Sequence, residues 1–217
     1  MHFLDAWTHL ASSDLARLIL APASLALAIV LPGRRASTIG CIGLAVAALI
    51  QPGAEGVLHR LAWSLLWLLL ASAILRSRPD PPSDPALRRG AVESGAVGLL
   101  LGFALMLLLI AAVARQNLDE GPTRDSSYAL FLVTLGLLHL MLRRHVLRAA
   151  VAIGAMGLGL DRLLLAAEAQ QLPGSAVPLL AVWTGTALAV SLVLRIARLR
   201  LEGGGGAWVS GAHDLHD

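Results

Sequence analysis

The sequence predicts an all-α, polytopic membrane helix bundle, and three properties of its composition lead to this fold class. Of the 217 residues, 57% are hydrophobic and only 14% are charged, and the mean hydropathy is +0.74. A typical soluble domain has about a quarter of its residues charged, and a disordered chain would leave too much apolar surface in water. The apolar residues form long unbroken runs without the alternation of barrel strands, so we expect membrane-spanning helices.

Seven apolar runs predict seven transmembrane helices, since a crossing needs about 20 predominantly apolar residues. In chain order, the runs are 15–31, 37–51, 57–75, 91–114, 126–142, 146–167 and 176–196. The second run is the shortest, with 15 residues. Dipeptides that end helices, such as Pro32-Gly33 and Pro173-Gly174, separate the runs.

The positions of the arginines predict the orientation of the bundle. The chain has no lysine, and with the N-terminus outside, 12 of its 17 arginines fall on the cytoplasmic side. An excess of basic residues marks cytoplasmic connections. Arg34-Arg35 and Arg76 both belong inside, so the second and third runs must cross as a pair. We therefore expect the N-terminus outside and the C-terminus in the cytoplasm.

Composition also predicts how the chain is divided. The connection 76–90 contains four prolines, which is typical of a stiff linker, and the orientation places it in the cytoplasm. It separates a three-helix N-terminal membrane part, residues 1–75, from a four-helix C-terminal membrane part, residues 91–202. Residues 203–217 begin with four glycines, and we expect a flexible tail there.

Several classes of function are not supported by the residues present. The net charge is only +3, and the arginines stand in short pairs between apolar runs, so no nucleic-acid partner is expected. The single cysteine, Cys41, cannot form a disulfide framework or a four-cysteine metal site, and we interpret it as a packed thiol. Nucleophile-elbow, phosphate-loop and dinucleotide motifs are absent. We therefore expect no catalytic, cofactor-binding or metal-binding residues, and no enzyme activity for the chain by itself.

Ionisable residues inside an apolar run are the first candidates for function, because a charge within the membrane is costly. Asp161 lies in the outer half of the sixth run and shares a helix face with Gly154 and Gly157. Glu168 follows on the same side, near the outer boundary. Two interpretations stay open: a short proton or ion path opening outward, or an Asp161 paired with an arginine such as Arg162 of a neighbouring chain.

His139 is a third candidate for a proton path. It lies three residues from the end of the fifth run, near the cytoplasmic side, and histidine changes its charge near neutral pH. The alternative is a hydrogen-bonded histidine at the membrane interface.

Small residues at helical spacing predict faces on which helices pack closely. The glycines concerned are Gly95, Gly98 and Gly102 in the fourth run and Gly154, Gly157 and Gly159 in the sixth. Trp63 and Trp67 are interpreted as packing residues or interface anchors.

The last third of the sequence resembles a known family of membrane subunits. The matching features are the basic cytoplasmic turn Arg143-Arg144-His145, the following Leu147 and Arg148, a glycine-bearing helix, a short loop with proline, and a last helix ending in Arg195-Ile196-Ala197-Arg198. Over residues 126–200, this pattern resembles the membrane E component of hydrogenase-4 and formate-hydrogenlyase-type complexes. The last three helices of that component in turn resemble the small K-type subunit of respiratory complex I.

The resemblance implies a non-catalytic subunit of a bacterial inner-membrane complex, in which the chain bridges antiporter-like and hydrogenase- or complex I-like subunits within the bilayer. Redox centres would lie in other chains, and the subunit would assist proton translocation. The glutamate that the family carries in the sixth helix is replaced here by Gly157, with Asp161 one turn later, so either Asp161 substitutes for it or the relay is lost. The alternative function is an independent small proton- or ion-coupled transporter centred on Asp161.

Overall fold

The structure is a computed structural model of the chain. It describes residues 12–30, 34–50, 56–77, 120–142, 146–168 and 176–202, with eight further positions between 104 and 115. Every residue within this described set is helical except Gly56 and Ser77. The predicted all-α class is therefore confirmed for this part of the chain.

Six helices have defined bounds in the described ranges. They are α1 (Ser12–Val30), α2 (Arg34–Ile50), α3 (Val57–Arg76), α4 (Glu120–Leu142), α5 (Val146–Glu168) and α6 (Ala176–Glu202). Helical residues between 104 and 113 fall in the predicted fourth run, 91–114. Gly95, Gly98 and Gly102 of that run lie outside the described residues, as do the linker beyond Ser77 and the tail 203–217.

Four of the helices extend at least three residues beyond the apolar runs that predict them. The first, α1, begins at Ser12 instead of residue 15. α2 begins at Arg34 and has 17 residues rather than 15. α4 begins at Glu120 instead of residue 126, and α6 continues to Glu202 instead of residue 196. The added turns all carry polar or charged side chains. Hydropathy marks the part of a helix that fits the hydrocarbon layer, whereas backbone hydrogen bonding continues into the polar interface.

Three described helices are long and apolar enough to cross a membrane, namely Val57–Arg76, Val146–Ala167 and Pro178–Glu202. At 1.5 Å per residue, 20 residues span about 30 Å, the thickness of the hydrocarbon layer. The chain is therefore a helical membrane protein. α1 offers a shorter apolar segment, Leu18–Ala28, and α4 begins with a polar turn. Seven crossings and their orientation stay predictions.

The contacts of α3 define two ends of the bundle. At the His59 end, the start of α3 meets the second half of α5 through His59 and Asp161. At the arginine end, the last turn of α3 lies beside the start of α5 and the end of α6, and Arg34 of α2 donates a hydrogen bond to the carbonyl of Ser77. The described arginines at this second end are Arg34, Arg35, Arg76, Arg148, Arg195, Arg198 and Arg200.

α5 is the central helix of the described bundle. It contacts α1, α3, α4 and α6, and 61% of its apolar window is buried, against 39% for α3 and 11% for α6. The core that it joins includes the fully buried rings of Trp63 and Trp67 on α3. Both tryptophans are thus core residues. Of the two interpretations given above, this is the one in which they are packing residues.

The three glycines of α5 admit three different neighbours. A Cβ atom on Gly154 would lie 2.9 Å from Cη2 of Trp67 on α3, one on Gly157 would collide with Thr186 on α6, and one on Gly159 would lie 2.7 Å from the carbonyl oxygen of Ala129 on α4. Because successive residues turn by about 100° around a helix, these glycines cannot share one narrow face. They let α5 approach three helices at once.

Candidate functional site

The candidate site is built around Asp161, whose side chain is completely buried on α5. Its two carboxylate oxygens, Oδ1 and Oδ2, lie 2.9 and 3.0 Å from Nε2 of His59 on α3. The His59 side chain is 14% exposed. A buried carboxylate is thus paired with a partly exposed imidazole of the same chain.

The backbone places His59 at the first turn of α3. Gly56 precedes the helix in an extended conformation, and its carbonyl accepts the backbone N–H of His59 at 3.0 Å. Side chains on a helix lean toward its N-terminus, which directs the imidazole toward the end of the bundle. Two turns further along α3, Trp67 packs on Gly154. This close approach seven residues before Asp161 brings the two helices within hydrogen-bonding distance at His59.

Trp63 completes the site and lies one helical turn after His59 on α3. Its indole nitrogen Nε1 lies 3.2 Å from the same Nε2 atom of His59 and can donate to it when Nε2 carries a lone pair. Two carboxylate oxygens and one N–H donor therefore converge on a single imidazole nitrogen. Trp63 is fully buried, so its ring holds the imidazole between α3 and α5.

This arrangement gives the Nε2 atom of His59 two alternative partners. An imidazole nitrogen carries either a hydrogen or a lone pair. With a hydrogen on Nε2, His59 donates to Asp161 and cannot accept from Trp63. With a lone pair on Nε2, His59 accepts a hydrogen bond from the indole of Trp63 or from a protonated Asp161. The pair can therefore hold one proton on either side of a short hydrogen bond.

A second buried charged residue adjoins the pair. Arg162 follows Asp161 directly and is only 5% exposed, and Arg60 beside His59 is half-buried. In the described ranges, no three His, Cys, Asp or Glu side chains lie together where they could bind a metal ion. Asp161 and His59 by themselves would supply only two ligands.

The structure separates His139 from Asp161. His139 is buried on α4. Gly136 packs against Ala152 and Gly159 packs against Ala129, so α4 and α5 are antiparallel and His139 lies level with the first half of α5. That position is roughly 15 Å along the axis from Asp161. A direct path joining the two predicted proton-path residues is thus not formed.

The remaining predicted residues lie away from the pair or outside the described set. Glu168 is the last residue of α5, about 10 Å along the helix from Asp161, and its side chain lies outside the described residues. Arg148 is at the arginine end of α5, and Arg143 and Arg144 of the basic turn are not among the described residues. Gly154, Gly157 and Gly159 each lie against a side chain or backbone atom of a neighbouring helix.

Sequence reasoning missed His59, the partner of Asp161. The signal was present: a histidine two residues inside an apolar run, four residues before Trp63 and therefore on the same helix face. Polar side chains in the first turn of a membrane helix usually reach the interface, which makes such a residue look unremarkable. Only the contact between α3 and α5 gives it a role.

Comparison with known proteins adds no relative: no family model, no curated protein and no solved structure matches this chain. The resemblance to hydrogenase-4 component E therefore stays a prediction that rests on the residues quoted above.

Proposed function

We propose that this chain is an integral membrane protein that holds and relays a proton at the Asp161–His59 pair. The observation that carries the proposal is the fully buried carboxylate with both oxygens within 3.0 Å of one imidazole nitrogen. Ionisable groups inside membrane helices are rare and are typical of proton relays. An imidazole exchanges protons near neutral pH, so it suits the outer station of such a relay.

The proposed step moves one proton between the two side chains. An imidazolium–carboxylate pair becomes a neutral imidazole and a carboxylic acid when the Nε2 proton passes to an oxygen of Asp161. The N–H group of Trp63 can then donate to the lone pair that is left on Nε2. Since His59 is partly exposed and Asp161 is fully buried, a proton from the His59 end reaches the histidine first.

The proposed setting is a multi-subunit complex of the bacterial inner membrane related to hydrogenase-4 or complex I, in which this chain is a non-catalytic subunit. The resemblance of residues 126–200 supports this setting. The sparse burial of α6, at 11%, also supports it, because that helix leaves a long apolar face for antiporter-like subunits or lipid. With the arginine end in the cytoplasm, the Asp161–His59 pair would lie toward the outer side.

An independent small proton- or ion-coupled transporter is the second candidate. It is favoured by one observation, which is that His59, Trp63 and Asp161 all belong to one chain. The pair thus needs no partner subunit to be complete.

A pull-down separates the two settings. The chain carries a tag on its C-terminus, is extracted from its own host in mild detergent, and its partners are identified by mass spectrometry. Co-purification of antiporter-like and metal-binding subunits is the result expected for the complex. Recovery of the chain alone, stable and monodisperse, would contradict the complex and favour the transporter.

Substitution of the carboxylate tests the relay itself. Asp161→Asn keeps the size and polarity of the side chain but cannot take up a proton, so we expect proton uptake into membrane vesicles, followed with a pH-sensitive dye, to be abolished. The matched control is Glu202→Gln, which neutralises an exposed carboxylate at the arginine end and should leave uptake unchanged. Normal uptake by correctly assembled Asp161→Asn protein would refute the relay.

A further inference from the structure

We infer that the arginine end carries a binding site for an anionic phospholipid. A cleft opens there between the last turn of α3, the start of α5 and the end of α6, with a volume of about 410 Å³. This volume falls within the roughly 300–1,000 Å³ of typical small-molecule sites. The cleft lies at the opposite end of α3 from His59, so it is separate from the proposed relay.

Two guanidinium groups supply the charge of this cleft. Arg76 ends α3 and Arg198 lies near the end of α6, and both line the cleft with exposed side chains. Neither makes a hydrogen bond or ion pair with another of the described residues, so within this part of the chain both guanidinium groups are available to a ligand. Arginine binds phosphate through parallel N–H donors. Basic pockets between helices on the cytoplasmic side of a membrane suit the head groups of anionic lipids.

The rest of the lining favours a lipid over free phosphate. Glu202 also lines the cleft, and its negative charge offsets one of the two arginines, which weakens the attraction for a small anion in water. Leu147, Leu194 and Leu201 form an apolar wall. A ligand that pairs a phosphate with hydrocarbon satisfies both halves of the lining.

The position of the cleft beside α6 gives a lipid direct access to it. The outward face of α6 is apolar, with Leu192 at 60% and Leu199 at 58% exposure. In a bilayer this face meets acyl chains. The same acyl chains would continue along α6 to the cleft, where Arg198 meets the head-group phosphate.

The test is a titration of the full-length protein in detergent with phosphatidylglycerol or phosphatidylcholine, with bound lipid counted by native mass spectrometry. We expect phosphatidylglycerol to bind more tightly. The double variant Arg76→Gln/Arg198→Gln should bind it about thirtyfold more weakly, since each arginine near a lipid head group contributes about fivefold. The matched control is Arg35→Gln/Arg195→Gln, which removes two exposed arginines at the same end but outside the cleft. Its affinity should stay within about twofold of the original protein.

Several outcomes would overturn the proposal. Both double variants could elute normally from a sizing column and yet lose the same amount of affinity for phosphatidylglycerol. That result would mean that the lipid is attracted to the basic surface in general and not to the cleft. Competition by glycerol phosphate at the concentrations at which phosphatidylglycerol binds would make this a site for soluble phosphate esters. The acidic tail is the remaining competitor, because Asp214 and Asp217 follow α6. If only the Asp214→Asn/Asp217→Asn variant binds phosphatidylglycerol, the tail and not a lipid is the resident ligand.

Discussion

α5 and α6 are almost equally apolar, yet they meet the rest of the molecule in opposite ways. Their apolar windows have mean hydropathies of 1.6 and 1.9. The window of α5 is 61% buried by other helices, and that of α6 is 11% buried. Hydropathy therefore identifies both as membrane helices but does not distinguish a central helix from a peripheral one.

The polar residues of the two helices differ in the same way. On α6, the hydroxyls of Thr184, Thr186 and Ser191 donate to carbonyls four residues earlier in their own helix. On α5, the hydrogen-bond partner of Asp161 is His59 of α3. A helix that faces lipid must satisfy its polar groups internally, whereas a central helix can use its neighbours. Asp161 forms a candidate site because its hydrogen-bond partner is a residue of another helix.

The largest expected effect comes from removing the partner of Asp161. His59→Ala leaves a buried carboxylate unpaired, which costs about 3–5 kcal/mol of stability, so we expect a large drop in melting temperature in detergent at pH 8. On α6, the comparison variant Thr184→Ala should change the melting temperature little.

The double variant His59→Ala/Asp161→Ala sharpens this prediction. It removes the unpaired carboxylate as well, so much of the lost stability should return. A double variant as unstable as His59→Ala alone would show that the histidine acts through packing rather than through the carboxylate.

Glycine substitutions should give the next largest difference between the two helices. Gly154→Leu forces a side chain against the fully buried ring of Trp67, and overpacking of this kind costs about 1–3 kcal/mol. No atom lies within 4 Å of the Cβ position on Gly185 of α6, so Gly185→Leu should be tolerated. Equal melting temperatures for the two variants would contradict the central position of α5.

The smallest effect tests the indole of Trp63. Trp63→Phe keeps an aromatic ring but removes the N–H that donates to His59, and one hydrogen bond between membrane side chains is worth about 0.6 kcal/mol. The control is Trp183→Phe on α6, because Nε1 of Trp183 is buried without a hydrogen-bond partner among the described residues. We expect Trp63→Phe to lower the rate of proton uptake in the vesicle assay and Trp183→Phe to leave that rate unchanged. The opposite order would exclude Trp63 as a positioning residue for His59.

Helix positions could be predicted largely from local information. The runs 57–75 and 146–167 differ from α3 and α5 by a single residue at one end, because an apolar segment of crossing length has one way to satisfy its backbone in lipid. Boundaries were less accurate where polar turns extend a helix, as at the start of α4. There, hydropathy falls while helical hydrogen bonding continues.

Only one of the two paired residues of the candidate site could be predicted from the sequence. Asp161 stands out in the sequence because a carboxylate in an apolar run has a high cost whatever surrounds it. His59 does not stand out, because a histidine near the end of a membrane helix is usually explained as a side chain that reaches the membrane interface. The separation of His139 from Asp161 was predictable, because the predicted topology puts His139 near the cytoplasmic side and Asp161 in the outer half, and the antiparallel helices α4 and α5 keep them apart.

The sequence by itself determined the class of protein and the position of most helices, since both depend on the sum of side-chain hydrophobicity along short stretches. The tertiary structure decided which helix is central, which neighbour each glycine of α5 admits and which residue meets Asp161. These outcomes depend on contacts between residues as far apart as His59 and Asp161. Such pairings follow from the packing of whole helices, and no local pattern contains them.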